Sequence, residues 1–418
     1  MGLTVTHVKF PPHLKEADMN PAAPHTTTPA TTAPVSEQDL FSDHTLAHTE
    51  EVYGELRSLG TVVYLPANDA YAITRYEAIR TANSDPATFS SKQVAFNPQM
   101  NEILSGTSLA SDPPQHGKLR AILTDNLSPR AMRSLKGTIY ADADTLVREL
   151  VDRRTFDGMA DLAVAFPVSV VLDLIGVQGD KRDRILPWGE AAFNLLGPLN
   201  QRARESFPLA GELFKWTHEE MTGDDLAEGS IGHAVWQAAE RGDIAPESFG
   251  YLVHQILAAG MDTTIATIGS LFQLLADHPD QYAKLRRDPT KIPAAVAETL
   301  RFRTPAPGFG RVDTRDVEVD GVTIPAGSQV TLLYGSGNRD ELKYENPDVF
   351  DIDRNPVDHL GFGYGIHGCA GQGLAKLEIN GLVEAWIRHV DSFTVTDVIP
   401  RLNNFSRPYA SMQVTITA

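Results

Sequence analysis

Cysteine occurs once in 418 residues, as Cys369. A single thiol cannot close an intrachain disulfide, and it cannot supply a multi-cysteine zinc site or an iron–sulfur cluster. This usage fits a reducing compartment, and a cytoplasmic location is the expectation. Basic residues are also few: 36 Lys and Arg stand against 54 Asp and Glu, a formal charge of −18. That is the wrong sign for a general nucleic-acid footprint, and it favours solubility. No apolar run reads as reaching the roughly 18–20 residues of a membrane span. The N-terminus lacks the charged, apolar and cleavage-site series of a signal peptide. Neither nucleic acid nor membrane is an expected partner, and no internal repeat is visible.

What is present is 42% hydrophobic residue, enough to bury a large core. Residues 1–36, with "PAAPHTTTPATTAPVSEQDL", carry little that could be buried and predict a flexible tail. Residues 37–418 show no composition break and predict one domain. A helix is expected over Thr49–Leu59, then short strands at "TVVYL" and "AYAITR". From Phe89 to Pro114 a loop with short helical pieces is expected, and from His116 to about Ala239 mostly helix. Pro246 opens a long apolar stretch that ends before Pro279, read as a buried central helix of about 48 Å. A further helix holds "PAAVAETLRF", and Asp320-Gly321 marks a hairpin turn. The final helix is expected from about Gln372 to His389, followed by a mixed α and β tail. The fold class predicted is mainly α with small β-sheets, an α+β domain.

Four constellations could carry chemistry. The first surrounds Cys369 in "HLGFGYGIHGCAGQGLAKLE", where five of the eleven residues Gly361–Gly371 are glycine. A thiolate at a helix N-terminus, among backbone N–H groups that glycines leave open, suits a nucleophile or a metal ligand. An axial cysteine on haem iron is the sharper reading. The second is "AGMDTT" in the middle of the apolar central helix, with Asp262 and Thr263. A buried carboxylate there must be paired or functional, and an acid beside a hydroxyl can relay protons. The bland alternative is a Thr bonded back to its own helix. The third is Glu298 and Arg301, one turn apart on a helix face and structural in role. The fourth is a scatter of cations, His116 and Arg120 at i, i+4, Arg311 and His367, which together could clamp two carboxylates.

In this order and at these spacings the motifs resemble the cytochrome P450 family of haem-thiolate monooxygenases. "FGYGIHGCAG" is similar to the family's haem loop at every fixed position, "AGMDTT" to its oxygen-activation segment, and "ETLR" to its Glu-x-x-Arg. "FDIDR" looks like the segment whose Arg354 joins Glu298 and Arg301 in a structural triad. "GNRD" and "DPPQHGKLR" look like the soluble bacterial branch, and the likeness covers roughly residues 45–418. It implies the family fold and haem b held by Cys369 as proximal ligand, with Gly371 beside it. It also implies propionates held by His116, Arg120, Arg311 and His367, and proton delivery by Asp262 and Thr263. That intact pair argues against the peroxide-using members. The likeness leaves no room for a fused reductase, so it implies electrons from NAD(P)H through a separate ferredoxin and its reductase. Lys118, Arg120 and Lys376 are the expected docking cations.

The segments that line the family's pocket offer Val94, Phe96, Leu104, Leu109, Ala258, Ala259, Pro307, Gly308 and Phe309, with Phe193, Leu196 and Phe405 as additions. Ordinary core packing is the bland reading of each. As a pocket they predict a compact hydrophobic substrate. "FNLLGPLN" and "RLNNFSRP" look like bacterial members that hydroxylate or O-demethylate small aromatics. His254 and Gln255 stand in "LVHQILAAG" without an arginine, which favours a neutral phenolic or methoxyaromatic ligand over a benzoate. Terpene, macrolide and fatty-acid oxidation stay open, as do a peroxygenase and a haem-binding protein without turnover.

Overall fold

A computed structural model describes residues 32–417. It is mostly helical with three small sheets, as expected. The predicted tail lies outside the described residues as far as residue 31. Its last residues are held by a strand. Tyr64 N donates to Pro34 O at 2.8 Å and Ser36 N to Tyr64 O at 3.0 Å. An edge strand offers unpaired backbone groups, and residues 34–36 satisfy them whatever their composition.

Local chemistry sets the helix ends. Ser128 Oγ accepts from Ala131 N and Pro129 takes the first turn, which opens the helix Pro129–Arg153. Gly176, at φ 87°, closes Ala165–Ile175 in the left-handed conformation that glycine tolerates. The helices Thr49–Leu59 and Gln372–His389 have the bounds that their patterns predict. The central helix runs Ser248–Asp277, 30 residues and about 45 Å. It is buried on most sides because nearly every face is apolar.

The strands are β1 (Val62–Leu65), β2 (Ala70–Ile73), β3 (Phe89–Ser90), β4 (Thr155–Asp157), β5 (Phe309–Asp313), β6 (Val317–Val319), β7 (Val322–Ile324), β8 (Gln329–Leu332), β9 (Ser392–Pro400) and β10 (Tyr409–Thr417). The largest sheet has the order β1-β2-β8-β5-β3, with β2 and β8 parallel and the other pairs antiparallel. Arg311 of β5 pairs with Val330 of β8, which aims its side chain into the interior. Asp320 (φ 50°) and Gly321 (φ 77°) make the β6–β7 turn, the double positive φ that Asp-Gly suits.

Three expectations need correction. β4 interrupts the segment read as helical, because β10 offers it a pairing edge. The mixed ending is instead two paired strands, β9 and β10, in which the alternation of "MQVTIT" prevails over helical spacing. One helical window, Gly158–Ile175, has the length and mean hydropathy of a membrane span. Half of it is buried inside the protein, and Leu162, Val171 and Leu172 belong to the main core.

Candidate active site

The Cys369 loop precedes the helix Gln372–His389 directly, so the first N–H groups of that helix have no intrahelical partner. Those of Gly371 and Gln372 point at the thiol of Cys369. Burial pushes the thiol up, and these two donors together with the Arg120 and Lys376 charges oppose it. Cys369 N donates to Phe362 O at 2.7 Å, which closes the loop. Gly363 and Gly365 have φ of 68° and 70°, conformations that need glycine. No residue from Gly361 to Gly371 is fully buried, although the loop lies between core elements.

The expected carboxylate clamp gathers around this loop. Arg120, on the helix Gln115–Asn126, donates to Gly368 O. The His116 and His367 rings meet edge to face at 4.5 Å. His116 Nε2 is buried and has no partner among the described residues. His367 Nε2 lies 2.9 Å from Ser91 Oγ. Burial, then the charges of Arg311, His116 and Arg120, push its imidazole down to about 3, so it is neutral at neutral pH. Arg311 is buried and donates to Gly310 O at 2.7 Å and Asn83 Oδ1 at 3.3 Å.

On the central helix Ala259 is exposed and Thr263 half-buried, although the residues around them are mostly buried. Open space therefore runs along the middle of this helix. Thr263 Oγ1 donates to its own helix at Ala259 O, 3.2 Å away, as the bland reading expects, and keeps its lone pairs for other donors. Asp262 points elsewhere. It is 1% exposed, accepts from Arg401 Nη2 at 3.0 Å and also accepts from Ser406 Oγ. Burial raises its carboxyl, and Arg401 and then Ser406 pull it back. Arg401 also bonds Glu190, on the helix Arg182–Asn194. Asn404, three residues on, donates to Asn194 O at 2.9 Å and Asn200 Oδ1 at 3.0 Å. Arg401, Ser406 and Glu190 escaped the sequence reading. The one available signal was the first arginine of "RLNNFSRP", with no spacing to join it to Asp262.

Glu298, Arg301 and Arg354 come together. Arg301 donates twice to Glu298, at 2.7 and 2.8 Å, and Arg354 Nε once, at 3.3 Å. Glu298 and Arg301 are completely buried, and Arg301 also donates to three backbone carbonyls.

A cavity of about 40 Å³ brings together Val94, Phe96, Leu196, Pro307, Gly308 and Phe405. Phe193 and Phe309 flank it, their rings 5.1 and 4.9 Å from that of Phe405. Ala258 and Ala259 do not line it. Leu40, Phe41, Leu46, Thr49 and Tyr53 do, and these were missed because they lie far away in sequence, just after the predicted tail and at the start of the helix Thr49–Leu59. The lining carries no formal charge. The volume is well below the ~150 Å³ of an apolar cavity that admits benzene, so this cavity is a side chamber.

The residues present fit an iron porphyrin. A thiol faces helix N–H groups, two arginines and an orphaned imidazole surround its loop, and an open strip follows Ala259 and Thr263. The family model described as Cytochrome P450 matches residues 234–415. Cytochrome P450 CYP199A2 of Rhodopseudomonas palustris is 36% identical over 87% of this chain and 89% of its own length. A beta-dihydromenaquinone-9 omega-hydroxylase of Mycobacterium tuberculosis is 31% identical, over 87% of this chain and 75% of its own. The structure of cytochrome P450 CREJ in complex with (4-ethylphenyl) dihydrogen phosphate superposes with a TM-score of 0.81 at 30% identity, covering 92% of this chain and 99% of that one. Fold and site thus define a haem-dependent oxygenase. The chain belongs to the cytochrome P450 family and is a monooxygenase whose cofactor is haem b, with O2 as co-substrate and electrons from NAD(P)H through partner proteins.

Proposed function

We propose that this monooxygenase acts on a small, neutral, substituted aromatic compound, hydroxylating it or removing an O-methyl group. The observation that carries the reading is the cluster of phenyl rings Phe96, Phe193, Phe309 and Phe405, which wall the side chamber and give the site an aromatic, uncharged flank. Stacked and edge-to-face rings favour a flat partner, and a carboxylate packed against that flank would lack a cation. CREJ, a relative in fold and sequence, was solved with a para-substituted phenyl compound.

In this reading haem, bound through Cys369, supplies the chemistry that activates O2 and places one oxygen atom in a C–H bond. The chain supplies the rest. The N–H groups of Gly371 and Gln372 favour the thiolate form of Cys369. His116, Arg120, Arg311 and His367 hold the propionates, the arginines by charge and the neutral imidazoles by N–H donation. Thr263 Oγ1 can turn its hydrogen from Ala259 O toward the open strip, and Asp262 resupplies it once Arg401 lets go. Removal of an O-methyl group then balances as ArOCH3 + O2 + 2e− + 2H+ giving ArOH + HCHO + H2O. The electrons come from a ferredoxin and its reductase, docked on the Cys369 side.

A panel of small methoxyaromatics, terpenes and fatty acids, titrated against the haem-loaded protein by optical difference spectroscopy, tests the reading. Expulsion of the iron-bound water by the aromatics, followed by stoichiometric formaldehyde release, is the expected result. A spectral response to terpenes or fatty acids alone overturns it.

A further inference from the structure

Tyr251, Gln255, Ala259 and Thr263 follow one another at four-residue steps on the central helix and so share one face. The N-terminal half of this face is covered. Gly106, in the loop before Gln115–Asn126, sits so close that a Cβ there would lie 2.4 Å from the Tyr251 ring. The next half opens, since Ala259 is exposed. Gln255 stands on the border, half-buried.

Its partner is Ser108, 2% exposed, in the same loop. The backbone N and Oγ of Ser108 each lie 3.1 Å from Gln255 Oε1, and Gln255 Nε2 lies 2.8 Å from Ser108 Oγ. Two donors thus meet Oε1, and one Nε2 hydrogen meets the hydroxyl. The second Nε2 hydrogen has no partner among the described residues, and neither member of the pair carries a charge. Gln255 is about 6 Å from Ala259 and about 12 Å from Thr263 along the axis. One helical turn is close to the span of a benzene ring with its two para substituents.

Resting on the aromatic reading above, we propose that Ser108 and Gln255 form the polar end of the substrate site. The free Gln255 N–H donates to a neutral oxygen, a phenol or a carbonyl, on the ring position para to the group that is oxidised. A hydrocarbon in the same place leaves that N–H unpaired. A carboxylate arrives without a cation and is disfavoured.

The test uses the haem-loaded protein and three probes: 4-methoxyphenol, 4-methoxytoluene and 4-methoxybenzoate. Kd values are measured by calorimetry and by the Soret shift. The phenol is expected to bind at least about tenfold tighter than the toluene analogue, with the benzoate weakest. In Gln255→Leu and in Ser108→Ala the phenol-to-toluene ratio is expected to fall toward one. A merely structural tie would weaken both ligands together and leave the ratio intact. If Gln255→Leu fails to retain haem, Ser108→Ala carries the measurement. An unchanged ratio, or a benzoate that binds tightest, overturns the assignment. If all three aromatics fail to bind while an aliphatic succeeds, the aromatic reading itself falls.

Discussion

At the scale of single residues the site depends on where charge and hydrogen are held. Cys369→Ser replaces a soft donor with a hard one, and the red-displaced absorbance of reduced, CO-treated protein is expected to vanish. Thr263→Ala removes a hydroxyl that faces open space and touches only its own helix. Product per O2 consumed is expected to fall by about a hundredfold while NAD(P)H oxidation continues, measured by parallel oxygen and product assays. Arg401→Ala acts differently. It leaves Asp262 buried with only Ser406 for company, and a buried charge without its partner destabilises by about 3 kcal/mol. Urea unfolding would read that loss, and Asp262→Asn in the same background should restore most of it.

At the scale of elements, glycines hold the Cys369 loop in shape. A Cβ on Gly365 would lie 2.4 Å from Asn83 O, at a φ of 70°. Asn83 also bonds Arg311 and, at 2.9 Å, Tyr334. Gly365→Ala is therefore expected to shift the loop and the Arg311 clamp together, and to lower haem content per chain in the reduced CO spectrum. Elsewhere Glu341 joins the helix Thr49–Leu59 to the residue that caps Tyr76–Ser84, accepting from Arg57 at 3.0 Å and Arg75 at 2.6 Å. Burial raises its carboxyl, but hydrogen bonds from Arg75, its own backbone and Arg57 outweigh that and bring it to about 2. A lowered carboxyl contributes stability above its ordinary 4.5 and loses it as pH falls toward 2. Glu341→Gln should flatten that acid limb in thermal melts. Elements of this kind were legible when periodic, as in Thr49–Leu59 and the central helix. β4 was not, because three residues carry no period of their own and owe their state to β10.

At the scale of the whole molecule, legibility followed sequence distance. Cys369, His367 and Gly371 were readable because one loop carries them. The set around Asp262 was not, because Arg401 arrives from the loop after β9 and Glu190 from the helix Arg182–Asn194, and neither shares a local pattern with it. The proposed docking face shows the same limit. Arg120 turns inward to Gly368 O and is lost to a partner, whereas Lys118 and Lys376 are exposed. Arg80, unsuspected from sequence, lies over the ring of exposed Tyr364 at 4.3 Å. Under the proposed function, an acidic ferredoxin meeting a net charge of −18 would need these local cations. Lys118→Glu with Lys376→Glu is expected to slow reduction by such a partner about tenfold. Stopped-flow traces should also lose most of their salt dependence.

The loop between β9 and β10 grips the helix Arg182–Asn194 through Asn404 and the carboxylate of Asp262 through Arg401. If Asp262 carries protons as proposed, any outward movement of that helix and the release of a proton are thereby geared to one another. Whatever pries that helix outward must also tug at the carboxylate's restraint, so a cargo that leaves the gear unmoved would leave the proton carrier locked.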